Sequence, residues 1–187
     1  MKGSIFSHIL NRSLAHVMRF SSKPQHFKES VAEHSFFVAY IVSILCELLK
    51  EAGEKIDAEK ALRMALVHDI EETFSGDILG PFKHHSLEVS LAIQKVNKEV
   101  IAETFQNLPQ SLAGHFVSLW TEEGEGKSIE AQVVKSADRL SLIAKCAEEV
   151  KTGNTFFKEI YETQLSSLRQ YHVSWWDKIK GKVLPRE

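Results

Sequence analysis

Apolar residues in this chain recur at helical spacing and almost never alternate, which restricts the fold more than any other feature. The segment opening at Ser30 shows it best. His34, Phe37, Val38, Ile41, Leu45 and Leu48 follow at offsets of 0, 3, 4, 7, 11 and 14. That spacing lines one face of an α-helix, and the face must be buried against other elements. β-Branched alternation is scarce, and only nine Gly and four Pro interrupt 187 residues. No repeat, low-complexity tract or linker divides the sequence. The expectation is a single all-α domain over residues 1–187.

Start and stop signals divide the chain. A first helix is expected over residues 4–18, with Phe6, Ile9, Leu10, Leu14, Val17 and Met18 near one side. A polar loop follows from Ser21 to Glu29. Ser30-Val-Ala-Glu33 is a capping box and Gly53 ends its helix. Asp57 caps the next helix, predicted to run to about Glu72. Gly76, Gly80 and Pro81 make residues 73–85 a loop beside it, well placed to hold a substrate. Further helices are expected over Ser86–Gln106, with aliphatics inward, and over Gln110–Thr121. An acidic turn, Glu122–Gly126, reads as solvated surface. Ser128 caps a helix reaching Lys151, and Asn154 caps a last one. The tail carries Trp175 and Trp176, as packing or as an oligomer contact.

Composition excludes several classes. A net charge of −2 is unlike a general nucleic-acid binder, which is usually basic. No apolar run approaches the roughly 18–20 residues of a membrane span, and the first 20 residues do not read as a signal peptide. Cys46 and Cys146 form no Cys-x-x-Cys unit and read as reduced helix residues of a cytoplasmic protein.

Three helices carry polar groups where burial alone gives no reason for them. His34 begins the core stripe of its helix, His68-Asp69 ends an apolar run, and Asp138 lies between Val134 and Leu142. Each has an ordinary reading. His34 suits a core or cap histidine, Asp138 a pair with Arg139 or a lysine, Glu72 a helix-end charge. With nine histidines in the chain, one His-Asp dipeptide is weak evidence. Together, though, they offer two imidazoles and two carboxylates on inward faces. That set suits one divalent transition metal (Mn, Fe, Co, Ni or Zn) with positions left for water. Such an ion lowers the pKa of its water. Glu72, four residues after His68 and three after Asp69, is placed for proton transfer. Glu71 is expected to point away. His84, His85 and His115 are weaker candidates for a second metal.

His34…His68-Asp69…Asp138 resembles the signature of HD-domain metal-dependent phosphohydrolases. Glu33-His34-Ser35, His68-Asp69-x-x-Glu72, Ser75-Gly76-Asp77 and Lys135-x-x-Asp138 resemble the bacterial 5′-deoxynucleotidase branch, over roughly residues 5–165. The resemblance implies an HD-domain helical bundle that removes the 5′-phosphate of nucleoside or deoxynucleoside monophosphates. His34, His68, Asp69 and Asp138 would hold the metal, Glu72 would move protons, and Asp77 would lie beside the metal water and substrate. Arg19 would bind the 5′-phosphate, with Lys83 a further phosphate contact. Phe20 stands where the deoxynucleotidases carry a tryptophan that helps exclude a ribose 2′-hydroxyl, and it lacks the indole N–H. A homodimer is implied as well. Two rivals are an HD phosphodiesterase acting on cyclic nucleotides or other diesters, and a metal-bearing nucleotide-binding protein without turnover.

Overall fold

Side-chain caps open most of the long helices. Ser30, Asp57, Ser86 and Ser128 each accept a hydrogen bond from a backbone N–H of the first turn that follows. The computed structural model describes residues 4–186. In order they form α1 (Ile5–Ile9), α2 (Val31–Glu51), α3 (Ala58–Val67), α4 (Glu72–Ser75) and α5 (Gly80–Lys83). After these come α6 (Leu87–Thr104), α7 (Gln110–Glu125), α8 (Ile129–Lys151), α9 (Lys158–Gln170) and α10 (Ser174–Val183). No β-strand occurs among the described residues, only an isolated antiparallel bridge between Met18 and Ser30.

Helix α2 runs through the centre and packs against α8 and α3. Val38, Val42, Leu45 and Leu49 from α2 meet Met64 and Ala65 from α3 and Val134 and Ala137 from α8. Both tryptophans of α10 are buried, with indole N–H groups donating to Gln132 Oε1 (2.8 Å) and to the Leu168 carbonyl (3.1 Å). They therefore serve as packing, in a helix where the sequence suggested only a tail.

Several expectations need correcting. The first helix is one short turn and a half, because the Asn11 side chain accepts from the Ser13 N–H (3.0 Å) and redirects the chain. Phe6, Ile9 and Leu10 are exposed. On α2 the buried face includes Ser35, Val42, Cys46 and Leu49, one position round from the predicted stripe, so Phe37 is half exposed. On α6 only Val100 and Ile101 are buried, while Leu87, Leu91 and Val96 face out. Helix α7 continues through the supposed acidic turn and stops at Gly126, whose φ of 66° suits glycine. Finally, α2 is long and apolar enough to cross a membrane by length and composition. Its apolar stripe is spent instead on contacts with α3 and α8.

Candidate active site

Three elements bring the predicted ligands together. His34 sits in the first turn of α2, behind a capping box in which the Ser30 hydroxyl takes the Glu33 N–H and the Glu33 carboxylate takes the Ser30 N–H. Asp138 projects from the middle of α8. His68 is the C-cap of α3, so the helix ends at Val67 and not at Glu72 as the sequence suggested. Residues 68–73 then form tight i→i+3 turns, with Ile70 N–H to Val67 O, Glu72 N–H to Asp69 O and Thr73 N–H to Ile70 O. In such turns residues three apart eclipse one another. Asp69 and Glu72 consequently share a side.

His34 Nε2 lies 3.1 Å from Asp138 Oδ1 and 3.6 Å from Asp69 Oδ2, and His68 Nε2 lies 3.1 Å from the same Asp69 oxygen. One ligand atom each from His34, His68 and Asp69 falls within a 4.8 Å cluster. Among the described residues this is the group suited to a metal. His84, His85 and His115 form no such group, and His115 sits instead near Arg63. Both Nε2 atoms are buried without a hydrogen-bond partner. The opposite ring nitrogens are oriented: His68 Nδ1–H donates to the Ala65 carbonyl (2.8 Å), and His34 Nδ1 lies 3.1 Å from Ser141 Oγ.

Electrostatics around the cluster is strong. Burial works to lower the His68 pKa, but the carboxylates of Asp69 and Asp138 outweigh it and lift it to about 10. Burial alone would raise Asp69, yet His68, His34 and Arg19 hold it below the ordinary carboxylate range. Desolvation, then repulsion from Asp69, Asp77 and Glu71, pushes Glu72 up to about 9. Glu72 Oε2 is buried without a partner. Gly76 adopts φ 69°, ψ 173°, a conformation nearly confined to glycine, and turns the chain into Asp77. The Asp77 carboxylate accepts from the Phe20 N–H at 3.1 Å. Glu71 accepts from Trp120 Nε1–H at 2.7 Å and lines a cavity together with Asp69; desolvation, and after it the Asp69 charge, raises its pKa.

Arg19 and Phe20 reach the cluster from the loop before α2. Arg19 pairs with Glu29 (3.0 Å), and its Nη1 also lies 2.5 Å from His34 Nδ1. Phe20 has φ 54°, the left-handed region, and packs its ring edge-on against buried Phe157. Lys83 is elsewhere. It is exposed at the end of α5 and lines a cavity of about 530 Å³ with His68, Asp69, Asp138, Glu71 and Trp120. Arg19, Phe20, Glu72 and Asp77 do not line that cavity, so Lys83 and the Arg19 loop approach the cluster from different directions.

Sequence reasoning missed several neighbours. Glu123, read as solvated, is nearly buried and pairs with Lys135 (3.1 Å) at the cavity wall. Ser141 lies one turn after Asp138, a spacing that offered a signal. Glu29, as the partner of Arg19, had none in local sequence.

Comparison with known proteins places the chain in a family. Residues 5–185 match the family described as YfbR-like 5′-deoxynucleotidases. A 5′-deoxynucleotidase of Vibrio vulnificus is 30% identical over 157 residues, covering 81% of this chain and 77% of the relative. An HD-domain phosphohydrolase from Listeria innocua superposes with a TM-score of 0.81 at 25% identity, over 96% of this chain and 86% of the other. A cyanophage S-2L HD phosphohydrolase, solved with dA and one catalytic zinc ion, shares the fold at TM-score 0.61 and 17% identity, over 90% and 89% of the two chains. Matched over nearly its whole length, the chain belongs to the YfbR-like 5′-deoxynucleotidase family of HD-domain phosphohydrolases.

Proposed function

We propose that this protein removes the 5′-phosphate from nucleoside monophosphates, deoxynucleotides among them, using one divalent transition metal held by His34, His68, Asp69 and Asp138. The observation that carries the reading is the pair of buried imidazoles whose Nε2 atoms each lie 3.1 Å from a carboxylate oxygen, without a well-directed hydrogen bond. Two imidazole nitrogens and two carboxylates so close together are a donor set that a divalent cation fits. Manganese, iron, cobalt, nickel and zinc all suit it. The relatives' activity supports the substrate class.

When bound, the cation would acidify a water and withdraw charge from the phosphoryl oxygens. The chain's own groups supply the rest. A His34 that gives Nε2 to a cation carries its proton on Nδ1, where Ser141 can accept it. Arg19 can only donate and cannot keep its 2.5 Å contact there. It is thereby released toward the substrate phosphate, where a guanidinium makes paired charge-assisted bonds. Glu72, with its raised pKa, holds a proton for the departing ester oxygen. Asp77 fixes the Phe20 backbone and faces the same side. The Phe20 ring screens the sugar, and Lys83 meets an anion only from the cavity side. A homodimer in the cytoplasm completes the reading.

The test is chromatographic separation of nucleoside, nucleoside monophosphate and cyclic nucleotide after dAMP, AMP and 2′,3′- and 3′,5′-cyclic AMP are each incubated with protein loaded in turn with Mn²⁺, Co²⁺ and Zn²⁺. Monoester hydrolysis with intact cyclic nucleotides is expected. Cleavage of a cyclic nucleotide with both monoesters untouched would sink the proposal.

A further inference from the structure

Glu149 ends the inner face of α8 and is fully buried. Nothing in the hydrolytic site touches it. Its Oε1 accepts from Lys145 Nζ (2.7 Å) and from the Phe27 N–H (3.0 Å). Its Oε2 accepts from Asn154 Nδ2 (2.7 Å) and from the His26 N–H (2.9 Å). Lys145 is buried too and donates to the Phe27 carbonyl. Asn154 Nδ2 also donates to the Pro24 carbonyl (2.9 Å). Three side chains from α8 and its C-terminal turn thus hold four backbone groups of the loop from residue 21 to residue 29.

That loop is the one that carries the substrate arm. The Gln25 amide donates back to the carbonyls of Arg19 (2.9 Å) and Phe20 (3.3 Å). The Arg19 N–H donates to the Glu29 carbonyl (2.9 Å). Phe20 sits in a left-handed conformation that a phenylalanine does not adopt without outside support. Asn154 is followed directly by the turn bearing Phe157, on whose ring the Phe20 ring rests. A surface i,i+4 Lys–Glu pair would contribute little. Here both partners are buried and every oxygen is used, so losing one leaves an uncompensated charge. Despite burial, Lys145 and the two loop amides hold the Glu149 carboxyl down to about 2, so it stays charged at neutral pH.

We propose that the Lys145–Glu149–Asn154 cluster is a positioning site that pins the residue 21–29 loop so that Arg19 and Phe20 face the substrate phosphate and sugar. The inference rests on the nucleotidase reading for what Arg19 and Phe20 contact. It adds groups that act through the loop and touch no reacting atom.

The test is Glu149→Gln in the full chain, loaded with Mn²⁺. The amide keeps the shape but loses the charge and one acceptor. Backbone hydrogen exchange over residues 21–29 should become faster. KM for dAMP should rise about tenfold, from the loss of a charged hydrogen bond, with kcat within about twofold. A merely structural role gives the reverse pattern, a lower kcat from a smaller folded fraction and an unchanged KM. If Glu149→Gln does not fold, Gln25→Ala leaves the buried pair intact and should raise the same KM by a smaller factor. Unchanged exchange in Glu149→Gln, or an unchanged KM in the variant that folds, overturns the proposal. A parent protein inert toward dAMP and AMP overturns the nucleotidase reading itself, and the positioning role with it, whereas an active parent with an unmoved variant KM overturns the positioning role alone.

Discussion

His34 and Arg19 stand 2.5 Å apart, yet the chain holds them in unlike ways. His34 lies in the first turn of a 21-residue helix whose buried face it shares with Val38, Val42 and Leu45. Its position follows from the capping box and from helix packing, and many contacts specify it at once. Arg19 lies in a loop held by one β-bridge, a left-handed phenylalanine, the Gln25 amide and a carboxylate more than a hundred residues away in sequence. The difference separates two demands on the site. Metal ligands must converge to fractions of an ångström, and core helices supply that stiffness. Substrate contacts must suit one ester among many, and a loop pinned at few points can be altered without disturbing the ligands.

This contrast predicts a hierarchy of effects. Asp69→Ala should lower phosphate release by about a thousandfold or more, because no cation is held to activate water. Residual activity above one-tenth of the parent would show that the ligands do not dominate. The same end of the site carries the sharpest pH dependence. His68 is raised to about 10 in the ion-free protein, so its protonated form adds stability that is complete below about 6.5 and lost as pH climbs toward 10. A cation needs that nitrogen unprotonated. Mn²⁺ added to chelated protein at pH 7 should therefore release a proton, measurable by pH-stat, and bind more tightly as pH rises.

Glu72→Gln should cut kcat by about 10²–10⁴ while metal content, read by elemental analysis, stays at the parental level. Equal rates would remove Glu72 from proton transfer. Ser141→Ala should weaken Mn²⁺ affinity by about tenfold to a hundredfold, since the hydroxyl orients the His34 ring. An unchanged affinity would mean that helix packing alone fixes the imidazole. The smallest effect is expected in the loop. Phe20→Trp should raise the kcat/KM preference for dAMP over AMP by up to about tenfold, with metal affinity untouched. A change in metal affinity instead would show that the Phe20 ring, and not only the neighbouring Arg19 contact with His34, bears on the ligands.

Much of this was legible before any coordinates. The Ser30–Glu33 capping box, the caps at Asp57, Ser86 and Ser128, and the stop at Gly153 lie where the sequence signals placed them. Those signals act within a few residues and need no distant partner. His34, His68, Asp69 and Asp138 stood out because each put a polar group on an inward apolar face. Phe37 misled because helical spacing defines a stripe but not which edge of it meets a neighbour. The end of α3 at Val67 was hidden because residues 68–73 keep near-helical local geometry while their bonding tightens from i→i+4 to i→i+3. The i,i+4 relation of Lys145 and Glu149 carries no local sign of burial, and only the packing of the loop over α8 makes the pair an anchor.

By itself, then, the sequence determined the helices, their caps and the residue types able to bind a cation, since period, capping and ligand chemistry are local properties. Only the tertiary structure decided that His34, His68 and Asp69 come together with Asp138 beside His34, that Glu72 shares a side with Asp69, and that Glu149 reaches the loop behind Arg19. Those facts depend on how helices cross and which side chains lose water when they do, and the free energy of such contacts is not written in any one segment.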